Sequence, residues 1–222
     1  MVTAAVIGFL HTAEVHRETF TRLLDDVAPG TRSVHVVDPS LLADAQAHGG
    51  VDAETAMRLG DRLRALATTA SVVVCTCSTI SGAAESLAGE LGVAVIRVDL
   101  PMAERAIELG ARVGVVAALE STLGPTTQLL REVAVANHRD VELVEIVCTN
   151  AWSHFESGDM DAYLDAVAAA ADAITVPVDV IVLAQASMAG AAVRVRTATP
   201  ILSSPRLAVE AAVRVAHALA SE

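Results

Sequence analysis

Aromatic side chains are scarce in this sequence, which contains one Trp, one Tyr and three Phe among its 222 residues. Hydrophobic residues nevertheless make up 53% of the chain, so Val, Ile, Leu and Ala must form the core. This apolar content excludes a disordered chain. Small aliphatic side chains favour helices that pack closely on parallel β-sheets.

Basic residues are also few, because 15 Lys and Arg stand against 27 Asp and Glu, for a formal net charge of −12. The sequence shows no basic patch that could neutralise phosphates, so we expect no nucleic-acid partner. The three cysteines, Cys75, Cys77 and Cys148, are too few and too unevenly spaced for a disulfide framework. We therefore expect a reducing, cytoplasmic location.

Patterns of export, membrane insertion and nucleotide binding are missing from the sequence. The first residues lack the basic stretch of a signal peptide. The longest uncharged window, residues 65–84, is interrupted by Ser and Thr, so we expect no membrane partner. The motifs GxGxxG, GxxxxGK(S/T), GxSxG and HExxH do not occur. The sequence therefore predicts neither a phosphate cradle nor a metal site.

Short β-branched segments alternate with segments whose apolar residues recur at helical spacing. Continuous apolar strands separated by helices predict an α/β fold with parallel sheets covered on both faces. The strand candidates are AAVIGFL, RSVHVVD, SVVVCT, VAVIRV, RVGVVAAL, DVELVEIV and DVIVLAQ. Helical spacing is clearest over residues 15–26, 53–70, 102–110, 125–137 and 159–173.

The chain repeats itself in three blocks that follow one another in the same order. VIGFLHT near the start matches VGVVAALEST, with Gly8 aligned to Gly114. SVVVCTCSTISGAA matches DVIVLAQASMAGAA, with Cys77 aligned to Gln185, and VAVIRVDLPMAERA matches TPILSSPRLAVEAA. These offsets predict a duplication into two similar α/β halves of about 105 residues each.

Polar segments follow four of the predicted strands. Ligands of open parallel sheets bind beyond the carboxyl ends of the strands, where helix N-termini present free N–H groups. If the two halves face each other about a pseudo-two-fold axis, all four segments converge on an active site in the cleft between them. The segments are His11-Thr12, Cys77-Ser78-Thr79, Glu120-Ser121-Thr122 and Gln185-Ala186-Ser187.

Cys77 is the main catalytic candidate, because it joins a predicted strand to a predicted helix. A helix N-terminus can lower the pKa of a thiol into the physiological range and make its thiolate a base or nucleophile. The hydroxyls of Ser78 and Thr79 and nearby N–H groups could then hold a carboxylate or a developing enolate. The alternative is that Cys77 is a small buried hydrophobe, as we expect for Cys75 and Cys148.

Three histidines have different predicted roles. His11 ends the first strand, where it could bind a substrate carboxylate, donate a proton or tie down a loop. His16 is expected on the exposed face of the following helix. His35 lies inside a strand, a position typical of a histidine whose hydrogen bonds are satisfied within the sheet.

VVVCTCST, its repeat VIVLAQASMAG and the opening VIGFLHT together resemble the aspartate/glutamate racemase superfamily. That superfamily includes aspartate, glutamate and hydantoin racemases, maleate isomerase and arylmalonate decarboxylase. The resemblance implies two flavodoxin-like halves, residues 1–98 with 206–222 and residues 99–205, the last helix packing back on the first half. It also implies catalysis without pyridoxal phosphate, metal or nucleotide, and a homodimer.

Residue roles follow from the same resemblance. Cys77 matches the catalytic cysteine of the first half, and Ser78 and Thr79 match positions that bind the substrate carboxylate. Thr122 and Ser121 resemble the hydroxyl pair after the first strand of the second half. His11, from its position at a strand end, and Gln185, which is aligned with Cys77, complete the expected substrate-binding set: His11, Ser78, Thr79, Ser121, Thr122 and Gln185.

Gln185 is a departure from the two-cysteine members, in which a second cysteine protonates the opposite face of the substrate α-carbon. An amide cannot exchange a proton at neutral pH, and a positioned acid–base group contributes about 10²–10⁴-fold in rate. Either another acid such as Glu120 or His11 serves that face, or the reaction needs only one proton donor. The single-cysteine arylmalonate decarboxylases use one donor but keep the second-half cysteine, so a decarboxylase of this design would protonate the opposite face.

The leading hypothesis is a racemase or isomerase that acts next to the carboxylate of a small amino or organic acid, with Cys77 as its single acid/base. A decarboxylase or another lyase of the same superfamily is the first alternative. A small-acid-binding protein without turnover is the second. A redox protein that uses Cys75 and Cys77 is the third, although a CxC pair in a strand holds its sulfurs poorly for exchange.

Overall fold

The computed structural model describes residues 5–220 and divides into two compact units. The first unit comprises residues 5–98 and 205–220, and the second comprises Asp99–Ser204. Residues 1–4 and 221–222, which the predicted boundaries include, lie outside the described residues. None of the described helices has both the length and the apolar character that crossing a membrane requires.

The first unit is a four-stranded parallel sheet with strand order β2-β1-β3-β4. Its strands are β1 (Val6–His11), β2 (Arg32–Val37), β3 (Val72–Cys75) and β4 (Ala94–Arg97). The helices that connect them are α1 (Val15–Val27), α2 (Ser40–Ala47), α3 (Ala53–Ala67), α4 (Ser78–Ser86) and α5 (Ala88–Leu91). Strands β1 and β3 are buried along their whole length, as expected of central parallel strands.

The second unit has the same design, with parallel strand order β6-β5-β7-β8. Its strands are β5 (Arg112–Ala117), β6 (Glu142–Val147), β7 (Val180–Leu183) and β8 (Ile201–Ser203). The helices are α6 (Leu100–Leu109), α7 (Glu120–Ala136), α8 (Ala151–Ser157), α9 (Met160–Asp172) and a 3₁₀ helix (Ala186–Val193). The final helix, α10 (Ser204–Leu219), belongs to the first unit from residue 205 onward.

The two sheets confirm the predicted α/β fold with two similar halves. Gly8 and Gly114 are each the third residue of the leading strand of their sheet. A Cβ on Gly8 would lie 3.0 Å from the Cβ of Ala70, and one on Gly114 would lie 2.9 Å from Cδ1 of Ile174. Both glycines therefore allow the segment beside the strand to approach closely, which explains why the repeat retains them.

Helix α7 begins at Glu120, five residues before the predicted start at Pro125. The prediction was wrong because proline favours the first turn of a helix, which made Pro125 look like the beginning. In the structure Pro125 lies inside α7, where it cannot donate the hydrogen bond that a helix normally sends back four residues, to Ser121. The shift places Ser121 and Thr122 in the first turn of the helix rather than in a loop.

Candidate functional site

Cys77 lies at the carboxyl edge of the first sheet. β3 ends at Cys75, Thr76 follows, and Cys77 is the N-cap residue of α4 with an extended backbone (φ −110°, ψ 112°). The residue is 9% exposed and belongs to the cluster of buried residues that forms the apolar core of this unit. The predicted position at a strand-to-helix junction is therefore confirmed.

Burial raises the pKa of the Cys77 thiol above its ordinary value. The hydroxyls of Thr12 and Thr79 and the N–H groups of Thr79 and Ile80 act in the opposite direction, although the sulfur makes no capping hydrogen bond of ordinary geometry. The expectation that the helix N-terminus lowers the pKa was wrong, because loss of water outweighs these groups. The resting form of Cys77 is the thiol, which is a proton donor.

Hydroxyl groups surround the thiol, and one of them was not among the predicted site residues. Ser78 is buried and Thr79 half-buried in the first turn of α4, next to Cys77 as predicted. Thr12, which is 7% exposed, follows β1 and acts on the sulfur through its hydroxyl. The polar pair His11-Thr12 at the end of a predicted strand could have indicated Thr12, but the prediction chose the histidine of this pair as the site residue.

His11 is fully buried, and both of its ring nitrogens have protein partners. Nδ1 lies 2.8 Å from Oγ1 of Thr76, and Nε2 lies 2.9 Å from Nδ1 of His35. Burial, followed by His35, His16 and Arg17, lowers the pKa of His11 to about 3. This geometry favours the loop-tying role over the predicted substrate contact and leaves His11 without a proton for a substrate.

The other two histidines differ in how well they were predicted. His16 is 9% exposed, so its placement on an exposed helix face was wrong; the ring packs against Phe20 and near His11 instead. Burial lowers its pKa to about 4. His35 is confirmed as a hydrogen-bonded histidine of the sheet.

These buried neutral histidines should make the fold sensitive to acid. His11 and His16 bind protons in the unfolded chain below pH 6.5 but resist protonation in the folded chain until about pH 3 and 4. Lowering the pH from 7 to 5 should therefore reduce the free energy of unfolding by about 4 kcal/mol through these two groups. Urea denaturation at both pH values measures the change.

A pair of variants assigns the acid sensitivity to its source. His16→Asn should lose about 2 kcal/mol of the pH-dependent difference. His138→Asn is the matched control, because His138 is exposed and has a positive φ of 55° that Asn tolerates. Equal pH dependence in the wild type and His16→Asn would contradict the assignment.

Gln185 occupies in the second unit the place that Cys77 occupies in the first. It follows β7 and is the N-cap residue of the 3₁₀ helix, with an extended backbone (φ −116°, ψ 139°). Its Oε1 accepts a hydrogen bond of 2.6 Å from the N–H of Ala118, which follows β5. Because an N–H must meet an acceptor, the amide orientation is fixed, and Nε2 is the group left to act as a donor.

The hydroxyls after β5 lie in the first turn of α7. Thr122 is 1% exposed, and Ser121 is half-buried with an Oγ that has no hydrogen-bond partner among the described residues. Glu120 is exposed. Each sheet thus gathers its own predicted residues at its carboxyl edge: His11, Cys77, Ser78 and Thr79 in the first unit, and Ser121, Thr122 and Gln185 in the second.

A polar pair in the second unit was not predicted. The hydroxyl of Tyr163, which is fully buried, lies 2.7 Å from Oγ of Ser187, two residues after Gln185. Cys148 is buried in the core of this unit as expected, and burial raises its pKa to about 11. Across the described part of the chain, no three His, Cys, Asp or Glu side chains are grouped so that they could hold a metal ion.

The sequence profile of the Asp/Glu/hydantoin racemase family matches residues 5–212. The chain belongs to this family. Searching curated protein sequences gives no match. Solved structures of other proteins also resemble this chain. Their sequence identity to it is low, so this likeness supports the fold alone.

Three of these structures are racemases. An aspartate racemase from Picrophilus torridus is 12% identical, with a TM-score of 0.72 over 96% of this chain and 94% of its own. A glutamate racemase from Bacillus anthracis is 16% identical, with a TM-score of 0.69 over 97% and 82%. An allantoin racemase from Pseudomonas fluorescens is 22% identical, with a TM-score of 0.68 over 97% and 91%.

Proposed function

We propose that this racemase-family chain is a cofactor-independent isomerase that acts at the carbon next to the carboxylate of a small amino or organic acid. The observation that carries the proposal is the Cys77 thiol at the N-terminus of α4, with the hydroxyls of Thr12 and Thr79 acting on its sulfur. We also propose a homodimer and a cytoplasmic location, from the family resemblance and the composition.

Cys77 is the acid/base in this proposal. The thiol first releases its proton to solvent. The thiolate then takes the proton from the α-carbon, the electron pair of the C–H bond moves into an enediolate, and the configuration inverts when a proton from solvent reaches the carbon on the opposite face. Hydroxyls at the carboxyl edges of the two sheets and the amide of Gln185 donate hydrogen bonds to the carboxylate oxygens as the negative charge on these oxygens grows. The hydroxyls are those of Ser78, Thr79, Ser121 and Thr122.

A single-donor decarboxylase is the second candidate, and two observations favour it. The raised pKa of Cys77 makes the thiol the resting form, so the enzyme starts as an acid. Gln185 cannot supply a second proton, and His11 has both nitrogens occupied. In this reaction a malonate-type substrate loses CO₂, the electrons of the broken C–C bond form an enediolate, and Cys77 gives its proton to carbon before solvent restores the thiol.

Hydrogen exchange in D₂O tests both candidates with the same protein. The substrate panel contains aspartate, glutamate, 5-substituted hydantoins, allantoin and arylmalonates, with NMR detection at the α-carbon. Deuterium incorporation together with inversion at the α-carbon of an unchanged skeleton supports the isomerase, and release of CO₂ with one deuterium in the product supports the decarboxylase. Binding of panel members, detected as a rise in Tm, without either reaction would instead support a binding protein.

A further inference from the structure

A row of polar side chains leads from the outer strand β2 to the residue before Cys77. Its inner end is Thr76, whose Oγ1 lies 2.9 Å from the carbonyl oxygen of Leu10 and 2.8 Å from Nδ1 of His11. A carbonyl can only accept, so the single hydroxyl hydrogen of Thr76 goes to Leu10. Oγ1 must therefore accept from His11, and the hydrogen of His11 is on Nδ1.

The rest of the row then has only one arrangement. Nε2 of His11 carries a lone pair, so Nδ1 of His35 donates to it across 2.9 Å. Nε2 of His35 in turn accepts from Oγ of Ser33 at 3.0 Å, because the nearby hydroxyl of Thr21 gives its hydrogen to the carbonyl of Arg17. The donated hydrogens of Ser33, His35 and His11 therefore all point from β2 through β1 towards the turn that carries Cys77.

We propose that His11 and His35 are positioning residues for the Cys77 thiol. His11 holds Thr76, which immediately precedes Cys77 and whose N–H also bonds to the carbonyl of Leu10 at 2.9 Å. His11 also immediately precedes Thr12, whose hydroxyl acts on the Cys77 sulfur. One buried ring therefore fixes the chain on both sides of the thiol.

The inference rests on the proposed function only in assuming that Cys77 is the reacting group. Without His11 or its support from His35, Thr76 and Thr12 can turn, and the sulfur loses hydrogen bonds that stabilise its thiolate. The expected result is slower reaction of Cys77 at a given pH. A general loosening of the first unit would have the opposite effect, because it would admit reagents to both of its buried cysteines, Cys75 and Cys77.

Alkylation by iodoacetamide separates these outcomes and needs no substrate. Rates for Cys75, Cys77 and Cys148 are measured from pH 7 to 10 by mass spectrometry of the peptides. His11→Leu should slow Cys77 about tenfold at pH 8 and displace its rate profile to higher pH by about one unit, since one pKa unit is tenfold in thiolate. His11→Asn keeps a donor at the Nδ1 position and should restore most of the rate.

A second pair of variants applies if His11→Leu does not fold. His35→Leu removes the donor to His11 at a half-buried position, and His35→Asn keeps it; the first should slow Cys77 and the second should not. Unchanged Cys77 rates in both Leu variants, or faster labelling of Cys75 and Cys77 with Cys148 unchanged, would overturn the inference. Absence of turnover in D₂O would remove the proposed function without affecting this result.

Discussion

Replacing Cys77 by Ala should abolish deuterium incorporation into whichever panel compound the wild-type protein exchanges. The proposed mechanism has one thiol to move the proton, and His11, the histidine of the predicted site, cannot take over because both of its ring nitrogens are held by protein partners. A positioned acid–base group contributes about 10²–10⁴-fold in rate, so the remaining exchange should fall by at least about 10²-fold. Cys77→Ser should be nearly as inactive, since a hydroxyl is a far weaker acid than a thiol.

Cys148→Ala is the matched control for this variant. Cys148 is equally buried, with 9% exposure, but it lies in the core of the second unit and has no role in the proposed reaction. It should lose some stability, as expected for a shortened core side chain, and keep its exchange rate. Exchange that survives in Cys77→Ala, or disappears in Cys148→Ala as well, would exclude Cys77 as the single acid/base.

The equivalence of Cys77 and Gln185 could be predicted because it depends on local sequence. Both residues follow a short apolar strand and precede a helical turn, and both have the extended backbone of an N-cap residue. Hydrophobic periodicity and repeated blocks carry this information without any tertiary contact. The parallel sheets and their strand order follow the same repeat.

The surroundings of the thiol could not be predicted in the same way. His11 bonds to Thr76 and His35, which lie 65 and 24 residues away in the chain. Only the pairing of β1 with β2 and β3 brings these residues together. The sign of the pKa shift at Cys77 depends on how much water the fold removes, which no sequence pattern shows. That the polar segments at the carboxyl edges of the two sheets converge on one cleft stays a prediction.

Gln185 should determine whether the protein can reprotonate a substrate from a second side. Its amide is fixed, because Oε1 accepts a hydrogen bond from the N–H of Ala118. The remaining amide group, Nε2, is a donor that cannot serve as an acid or base. Wild-type protein should therefore exchange the α-hydrogen with retention faster than it inverts the α-carbon, or protonate a decarboxylated product on one face. Gln185→Cys supplies the missing thiol and should accelerate interconversion of enantiomers by at least about tenfold, and by at most the roughly 10²–10⁴-fold that a positioned acid–base group provides.

Chiral chromatography of the product, together with its deuterium content, measures this change. Gln185→Met is the matched control, because it removes the same hydrogen bond to Ala118 without adding an acid, and it should leave the stereochemical outcome as in the wild type. Both variants leave the buried N–H of Ala118 without its acceptor, which costs about 1–3 kcal/mol and affects them equally. Wild-type protein that already interconverts enantiomers at full rate would require a second acid. Among the ionisable groups of the predicted strand-end segments, Glu120 is the remaining one. Glu120→Gln should then remove the inversion while exchange at Cys77 continues.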